Sequence, residues 1–300
     1  MKNKKLLGNS LLLLTAVIWG TAFVFQRSGM EIIEPLTFNA ARMALAAVAI
    51  GVLAIIMRRK RSGISGAEQK QIDKNTLKGG IFCGVFLAVA SIFQQTGLVY
   101  TAAGKAGFIT AMYMLIVPVV GFVFLKRKNT ALVWFAVLLG VVGMYFLCIT
   151  DKLDLSRGDA LVCMCAFVFS FHIIFCDHYV KRADPIGMSA VQFVTATVIS
   201  VIAAFIFEKP GAEKLISALV PIIYCGLVSG GIGYTLQIVA QKFTDPAVAS
   251  LLLSMESVFA AIAGALILGE RMSVRELLGC VIMLAAVILV QIPTKGEKNE

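Results

Sequence analysis

Few side chains in this chain of 300 residues have the chemistry to bind or transfer anything, and nearly all of them sit inside apolar runs. Glu256 lies about nine residues into the run 247–268, or ~14 Å along a helix that rises ~1.5 Å per residue. A carboxyl at that depth is costly in hydrocarbon and is a site hypothesis by default. It suits proton binding or pairing with a substrate amine; the alternative is a structural carboxyl bonded to neighbouring helices. Ala249, Leu252, Ala260 and Ala263 share its helical face, and small residues there let other helices approach or leave room for a cavity. Arg42 follows Pro35 by roughly 10 Å of helix. It is read mainly as a structural or charge-pairing residue that snorkels toward Glu31 and Glu34, with fixation of an acidic substrate group as the alternative.

Amides and aromatics complete the set. Gln94 and Gln95 fall deep in one apolar run. Tyr234, Gln237 and Gln241 share a face of another, with Gly230 one turn before them, a pattern that fits a water-filled path. His172, followed on its face by Phe175, Cys176 and Tyr179, carries a ring able to exchange protons near neutral pH. Trp19 and Tyr113 lie too deep to be interfacial aromatics alone and offer stacking walls. For each, interhelical packing is the competing role. The predicted substrate path is thus Trp19, Gln94, Tyr113, His172, Tyr234, Gln237 and Glu256.

No catalytic residues are predicted. HExxH, GxSxG and GxxxxGK[ST] patterns do not occur, which argues against a membrane-embedded hydrolase and against an ATP site. The seven cysteines, Cys83, Cys148, Cys163, Cys165, Cys176, Cys225 and Cys280, form no CxxC pair, and none neighbours a histidine at zinc spacing. They read as small side chains buried in an apolar medium, and no metal or cofactor is expected.

The elements that must position these groups follow from composition. Hydrophobic residues make up 59% and charged residues 15% of the chain, with a mean hydropathy of +0.89. A soluble domain carries nearer a quarter charged residues, so the lipid bilayer is the expected solvent. Ten apolar stretches stand near 7–27, 35–57, 78–100, 105–125, 131–149, 158–180, 186–207, 216–240, 247–268 and 274–292. Each approaches the ~20 residues that cross ~30 Å of hydrocarbon as a helix. The expected fold is therefore all-α, integral to the membrane, with ten transmembrane helices. The first run, behind three lysines, reads as an uncleaved span.

The net charge of +10 has a topological explanation rather than a nucleic-acid partner. With the N-terminus inside, the basic clusters at Lys2–Lys5, Arg58–Arg61, Lys126–Lys128 and Lys181-Arg182 all fall on the cytoplasmic side, as the positive-inside rule requires. Both termini are then cytoplasmic, in a plasma (inner) membrane. The polar segment 58–77 reads as a loop that anchors and orients the chain, with contact to anionic lipid. The expected partners are the bilayer and a small-molecule substrate, for a monomer or homodimer.

The two halves also resemble each other. Gly8 and Gly158 open similar runs, and Pro35 and Pro185 stand at the same offset. AGFITAMYMLIVPVVGFVF from Ala106 matches DPAVASLLLSMESVFAAIA from Asp245 at a second offset, which Gly140 and Gly279 share. Five spans per half is an odd number, so residues 1–150 and 151–300 are expected to form two inverted five-helix repeats, an arrangement typical of secondary carriers. Pro118 and the glycines Gly104, Gly107, Gly226, Gly230, Gly231 and Gly233 mark places where helices bend or pack closely.

Trp19-Gly20, PLTFNAARMALAA at 35–47 and SMESVFAAIAGALILGERMS at 254–273 resemble the EamA-type family of the drug/metabolite transporter superfamily. Ser257 stands where that family usually has Pro, and Lys126-Arg127-Lys128 lacks the Gly-Glu-Arg form found at Gly269-Glu270-Arg271. The resemblance implies ten helices in two inverted repeats. It implies a central path lined by the first, third, fourth, sixth, eighth and ninth spans, with the fifth and tenth aside. It also implies secondary export of amino acids, amphipathic compounds or other small metabolites by alternating access, with protons as a candidate driving ion. A channel-like facilitator and a membrane-embedded enzyme are the alternatives.

Overall fold

The structure, a computed structural model, describes residues 2–59, 66–101, 103–148, 156–267 and 271–291. Among the described residues every regular element is helical: α1 (Lys2–Met30), α2 (Pro35–Arg59), α3 (Gly66–Leu98), α4 (Ala103–Ala111), α5 (Tyr113–Val123), α6 (Ala131–Cys148), α7 (Arg157–Val180), α8 (Pro185–Phe207), α9 (Ala212–Ser217), α10 (Leu219–Ile223), a π-helix (Tyr224–Tyr234), α11 (Thr235–Gln241), α12 (Pro246–Leu253), α13 (Glu256–Ile267) and α14 (Val274–Val290). Among the described residues, eight helical stretches are long and apolar enough to cross a membrane: Asn3–Met30, Pro35–Arg58, Gly66–Leu98, Ala106–Val123, Arg157–Val180, Pro185–Phe207, Leu219–Gln241 and Pro246–Ile267. Ala131–Leu147 is apolar but shorter.

Local chemistry explains where the helices begin. Ser156 and Asp159 form a reciprocal capping box on α7, with bonds of 3.1 and 2.7 Å, and Ser273 and Glu276 repeat it on α14 at 3.2 and 2.6 Å. Each box satisfies two of the backbone donors that a helix start leaves free. Asp184 caps α8, which opens on Pro185. The start of α2 is capped from far along the chain instead. Glu208, just past α8, accepts from Leu36 N at 2.9 Å and from Thr37 N and Oγ1 at 2.7 Å.

Packing sets the rest. α2 lies along α8, α3 runs between α7 and α8, and α6 pairs with α14. α1 packs on α12, α13 and the π-helix, while α7 packs on α4 and α5. Helix pairs meet closely where glycine removes the side chain. A Cβ on Gly143 would fall 2.8 Å from Met283 N, and one on Gly279 would fall 2.5 Å from Leu147 N, locking α6 to α14. The outward shell is apolar: Phe124, Phe205, Phe207, Leu266 and Val274 are among its most exposed side chains. Contiguous exposed hydrocarbon of this kind suits lipid, not water.

Four expectations are corrected. The polar segment 58–77 is not all loop, because α3 starts at Gly66. Its first turns carry Glu68 at the positive helix end and a Gln69–Asp73 bond of 2.8 Å one turn apart, each of which supports helix in water, and Arg58 of α2 pairs with Asp73 at 2.7 Å. The run 105–125 is two helices, broken at Met112 rather than at Pro118, which sits inside α5. The run 247–268 is likewise two helices, α12 and α13, separated at Ser254 and Met255, where Ser254 Oγ turns back to Leu251 O at 2.7 Å. The run 216–240 is not one α-helix but holds the 11-residue π-helix.

Gly269 and Glu270 of the family-like motif lie outside the described residues, as do positions 150 and 151, where the two halves meet, and Lys60, Arg61, Lys152, Lys295 and Lys298.

Candidate functional site

The helix breaks converge on one buried cavity. Its lining comes from Trp19, Phe23 and Gln26 on α1, Arg42 on α2, Gln94 on α3, Thr110 on α4 and Tyr113 on α5. Across from them stand Phe169 and Ile173 on α7, Ser229 and Tyr234 in the π-helix, Gln237 on α11 and Glu256 on α13. Helices α6, α8 and α14 contribute nothing to it. The cavity volume is about 30 Å³, space for water but far below the ~300 Å³ at which ligand sites begin.

A hydrogen bond between side chains spans the two halves of the cavity at its carboxyl. Tyr113, the first residue of α5, donates its hydroxyl to Glu256 Oε1 at 3.0 Å, and Glu256 is the first residue of α13. Both side chains are buried, and each stands immediately after a break in its helix. Glu256 therefore sits at the positive end of a half-helix, which favours a carboxylate there. Oε2 has no protein partner among the described residues. Gly20 makes this geometry accessible to α1: a Cβ there would fall 2.6 Å from Glu256 O.

Arg42 does not snorkel. It is 4% exposed, and Glu34 is taken by Lys214. Its Nε and Nη2 donate to Asn39 Oδ1 at 3.0 and 2.8 Å, and Asn39 Nδ2 in turn donates to Ser200 Oγ on α8 at 3.0 Å. Among the described residues no carboxylate lies within ion-pair distance of its guanidinium. A buried cation held by a neutral amide, with donors to spare and a cavity beside it, is equipped to take an anionic group.

The aromatic wall is built around Tyr234. Its ring lies 4.5 Å from Trp19, 6.4 Å from Phe169 and 5.9 Å from Phe193. Trp19 Nε1 donates to Ser229 O at 3.2 Å, and a Cβ on Gly233 would fall 2.7 Å from that nitrogen. The π-helix changes which residues line the path. Its wider turn places Ser229, five residues before Tyr234, on the cavity where α-helical spacing pointed to Gly230. Gln241 turns away: it accepts from Gln237 Nε2 at 3.1 Å and donates to Ile173 O at 2.9 Å. Gln95 bonds Gln26, whereas Gln94 faces the cavity with Thr110 Oγ1 at 3.5 Å.

Six of the seven side chains predicted for the path thus line one cavity, and Arg42 joins them. His172 does not. It stands behind Tyr234, ring to ring at 5.9 Å, and bonds Gln192 Oε1 through Nε2 at 2.8 Å. Around it gather Cys83 and Cys176, whose thiols are 3.5 Å apart. The expectation that no cysteine neighbours a histidine at metal-ligand spacing is corrected: His172 and Cys176 stand one turn apart on α7, and Cys83 joins them from α3, distant in sequence. Sequence spacing also missed Phe23, Gln26, Thr110, Phe169, Ile173 and Ser229. Phe23 and Gln26 follow Trp19 at helical i+4 and i+7 spacing, a signal that was available.

Comparison with known proteins agrees on transport. A transporter called uncharacterized from Archaeoglobus fulgidus is 26% identical over 289 residues, 96% of this chain and 87% of its own length. The uncharacterized transporter YoaV of Bacillus subtilis is 24% identical over 279 residues, 91% of this chain and 92% of its own. A solved crystal structure superposes with a TM-score of 0.75 over 95% of this chain and 96% of that one, at 15% identity, which shows a shared fold. These relatives and the apolar helices make the chain a multi-pass membrane protein and point to a transporter rather than an enzyme. The family model described as the EamA-like transporter family matches residues 6–149 and again residues 156–292. By that match across both halves, the chain belongs to the EamA-like transporter family.

Proposed function

We propose that this protein is a secondary active exporter of small organic metabolites, with zwitterionic amino acids as the best-fitting substrates, working by alternating access. The observation that carries this reading is the pairing of one buried cation, Arg42, with one buried carboxyl, Glu256, on a single cavity. Arg42 takes the substrate carboxylate; Glu256 takes its ammonium group or the coupling proton. Trp19 and Tyr234 stack on the side chain, and Gln94 and Gln237 complete the polar wall. His172 packs behind that wall.

The reading includes ten transmembrane helices, with α6 and α14 as the fifth and tenth, in two inverted repeats. Two tandem matches to the family model support it. So does the exchange of packing partners: α1 on α12 and α13 is mirrored by α7 on α4 and α5, while α2–α8 and α6–α14 pair across the two halves. With both termini in the cytoplasm, Arg127 and Lys181 on Asp177, at 2.6 and 2.9 Å, close the inner side. Glu208 on α2 and the Glu34–Lys214 pair close the outer side. Opening one side at a time by rocking the repeats would admit a substrate.

Counterflow in proteoliposomes tests the proposal. Vesicles preloaded with an amino-acid mixture should exchange a labelled amino acid saturably. Linear, non-saturable flux would make the protein a channel, and product formation would make it an enzyme.

A further inference from the structure

The geometry points to a second site, apart from the transport cavity: Cys83 on α3 with His172 and Cys176 on α7 forms a three-ligand site for a thiophilic divalent cation of the Zn²⁺ type. All three side chains are fully buried. The two sulfurs are 3.5 Å apart, and Cys176 Sγ lies 3.7 Å from His172 Nε2 and 4.0 Å from Nδ1. Every ligand atom is within 4.8 Å of the others. Around a tetrahedral ion with Zn–S of ~2.3 Å and Zn–N of ~2.0 Å, two sulfurs stand ~3.8 Å apart and a sulfur and a nitrogen ~3.6 Å. The sulfur–sulfur distance, 3.5 Å against ~3.8 Å, and the Cys176 Sγ–His172 Nδ1 distance, 4.0 Å against ~3.6 Å, both lie near these values, so a small shift of Cys83 or His172 completes the site.

Charge and orientation agree with the distances. On binding, each thiol releases its proton to solvent, and two thiolates with a neutral imidazole cancel a divalent charge. The complex is then neutral, as an apolar interior demands. Gln192 on α8 accepts from His172 Nε2 at 2.8 Å, which leaves the Nδ1 lone pair for the ion. A carboxylate or carbonyl oxygen accepting from the far nitrogen is the usual support of a metal-bound histidine, and the Gln192 carbonyl oxygen takes that place. The Gln192 Nε2 group is itself buried and, among the described residues, has no hydrogen-bond partner. The site would staple α3 to α7, two helices that also furnish Gln94, Phe169 and Ile173 to the cavity.

Co²⁺ titration of the full-length protein, purified in detergent with a phosphine reductant and stripped by chelator, is the test. We expect one Co²⁺ per chain, with thiolate-to-metal charge-transfer and strong tetrahedral d–d absorption, displaced by Zn²⁺. Cys83→Ser and Cys176→Ser should abolish the spectrum and His172→Gln should weaken it, while Cys163→Ser, at an exposed position, should leave it intact. Gln192→Leu should weaken binding by about 10- to 100-fold. Alkylation of the wild-type protein keeps the test independent of variant folding: Zn²⁺ should protect Cys83 and Cys176 together. Absence of the thiolate bands, bands that survive both serine variants, or thiols alkylated equally with and without Zn²⁺ would overturn the site. Recovery of a Cys83–Cys176 disulfide peptide in place of metal would overturn it in favour of a redox pair.

Discussion

Glu256 and Arg42 are the two charged side chains on the cavity, and each is engaged by one neutral partner. Hydrogen bonds to charged groups contribute about 1.5–3 kcal/mol, so each partner can be weighed by substitution. Glu256→Gln should cut counterflow by about 100-fold while the protein still inserts and elutes as a single species; normal transport at every pH would remove Glu256 from the coupling chemistry. Tyr113→Phe, which deletes only the hydroxyl on Oε1, should cost about 10-fold. Arg42→Lys keeps the charge but loses the fork held by Asn39, and substrate-dependent thermal stabilisation should fall by an order of magnitude in affinity, about 1.4 kcal/mol. Much at this scale was legible, since ionisable and amide groups deep in apolar runs are few. Where each side chain points was less so. Arg42 had acidic neighbours in sequence at Glu31 and Glu34, but Lys214, distant in sequence, occupies Glu34.

Three helical runs are interrupted at the cavity, at places other than Pro118, and the interruptions bring Tyr113, Glu256 and Ser229 to it. Periodicity reports a mean period and is blind to a single tight turn at Met112, to serine hydroxyls bonding back along α12, or to a widened π turn. Hydroxyl back-bonding and π segments both bend helices, and π segments cluster at functional sites. Glycine is the visible trace of these features. Gly233→Val should force Trp19 off Ser229 O and lower stability by about 1–3 kcal/mol, read as a fall in Tm together with a change in tryptophan emission. Unchanged emission would mean that Trp19 does not depend on the missing side chain.

At the scale of the whole molecule, opposite ends of the bundle are tied by different chemistry. Asp177 is fully buried between Arg127 and Lys181, whereas the Lys214–Glu34 pair is half exposed. The bonded Lys214 ammonium holds the Glu34 carboxyl below its ordinary range. A carboxyl lowered on folding stabilises above its unfolded pKa and loses that contribution as pH falls through the folded value. The Tm difference between wild type and Lys214→Met should therefore be small at neutral pH, as exposed pairs are weak, and vanish in acid. Arg127→Met, by contrast, strips one partner from a buried carboxylate and should lower Tm distinctly at neutral pH. Reporter fusions should place both ends of the chain in the cytoplasm; opposite sides would end the inverted-repeat reading. Composition and run length by themselves determined that the chain is helical and belongs in a bilayer, because no other solvent accepts so much exposed hydrocarbon. Buried carboxyl, guanidinium and amide groups marked where function concentrates, because such groups are costly in lipid. Only the tertiary structure decided which of them meet. Contacts such as Tyr113 with Glu256, or Cys83 with Cys176, join residues far apart in the chain, and their geometry depends on helix breaks and crossings that local sequence does not encode.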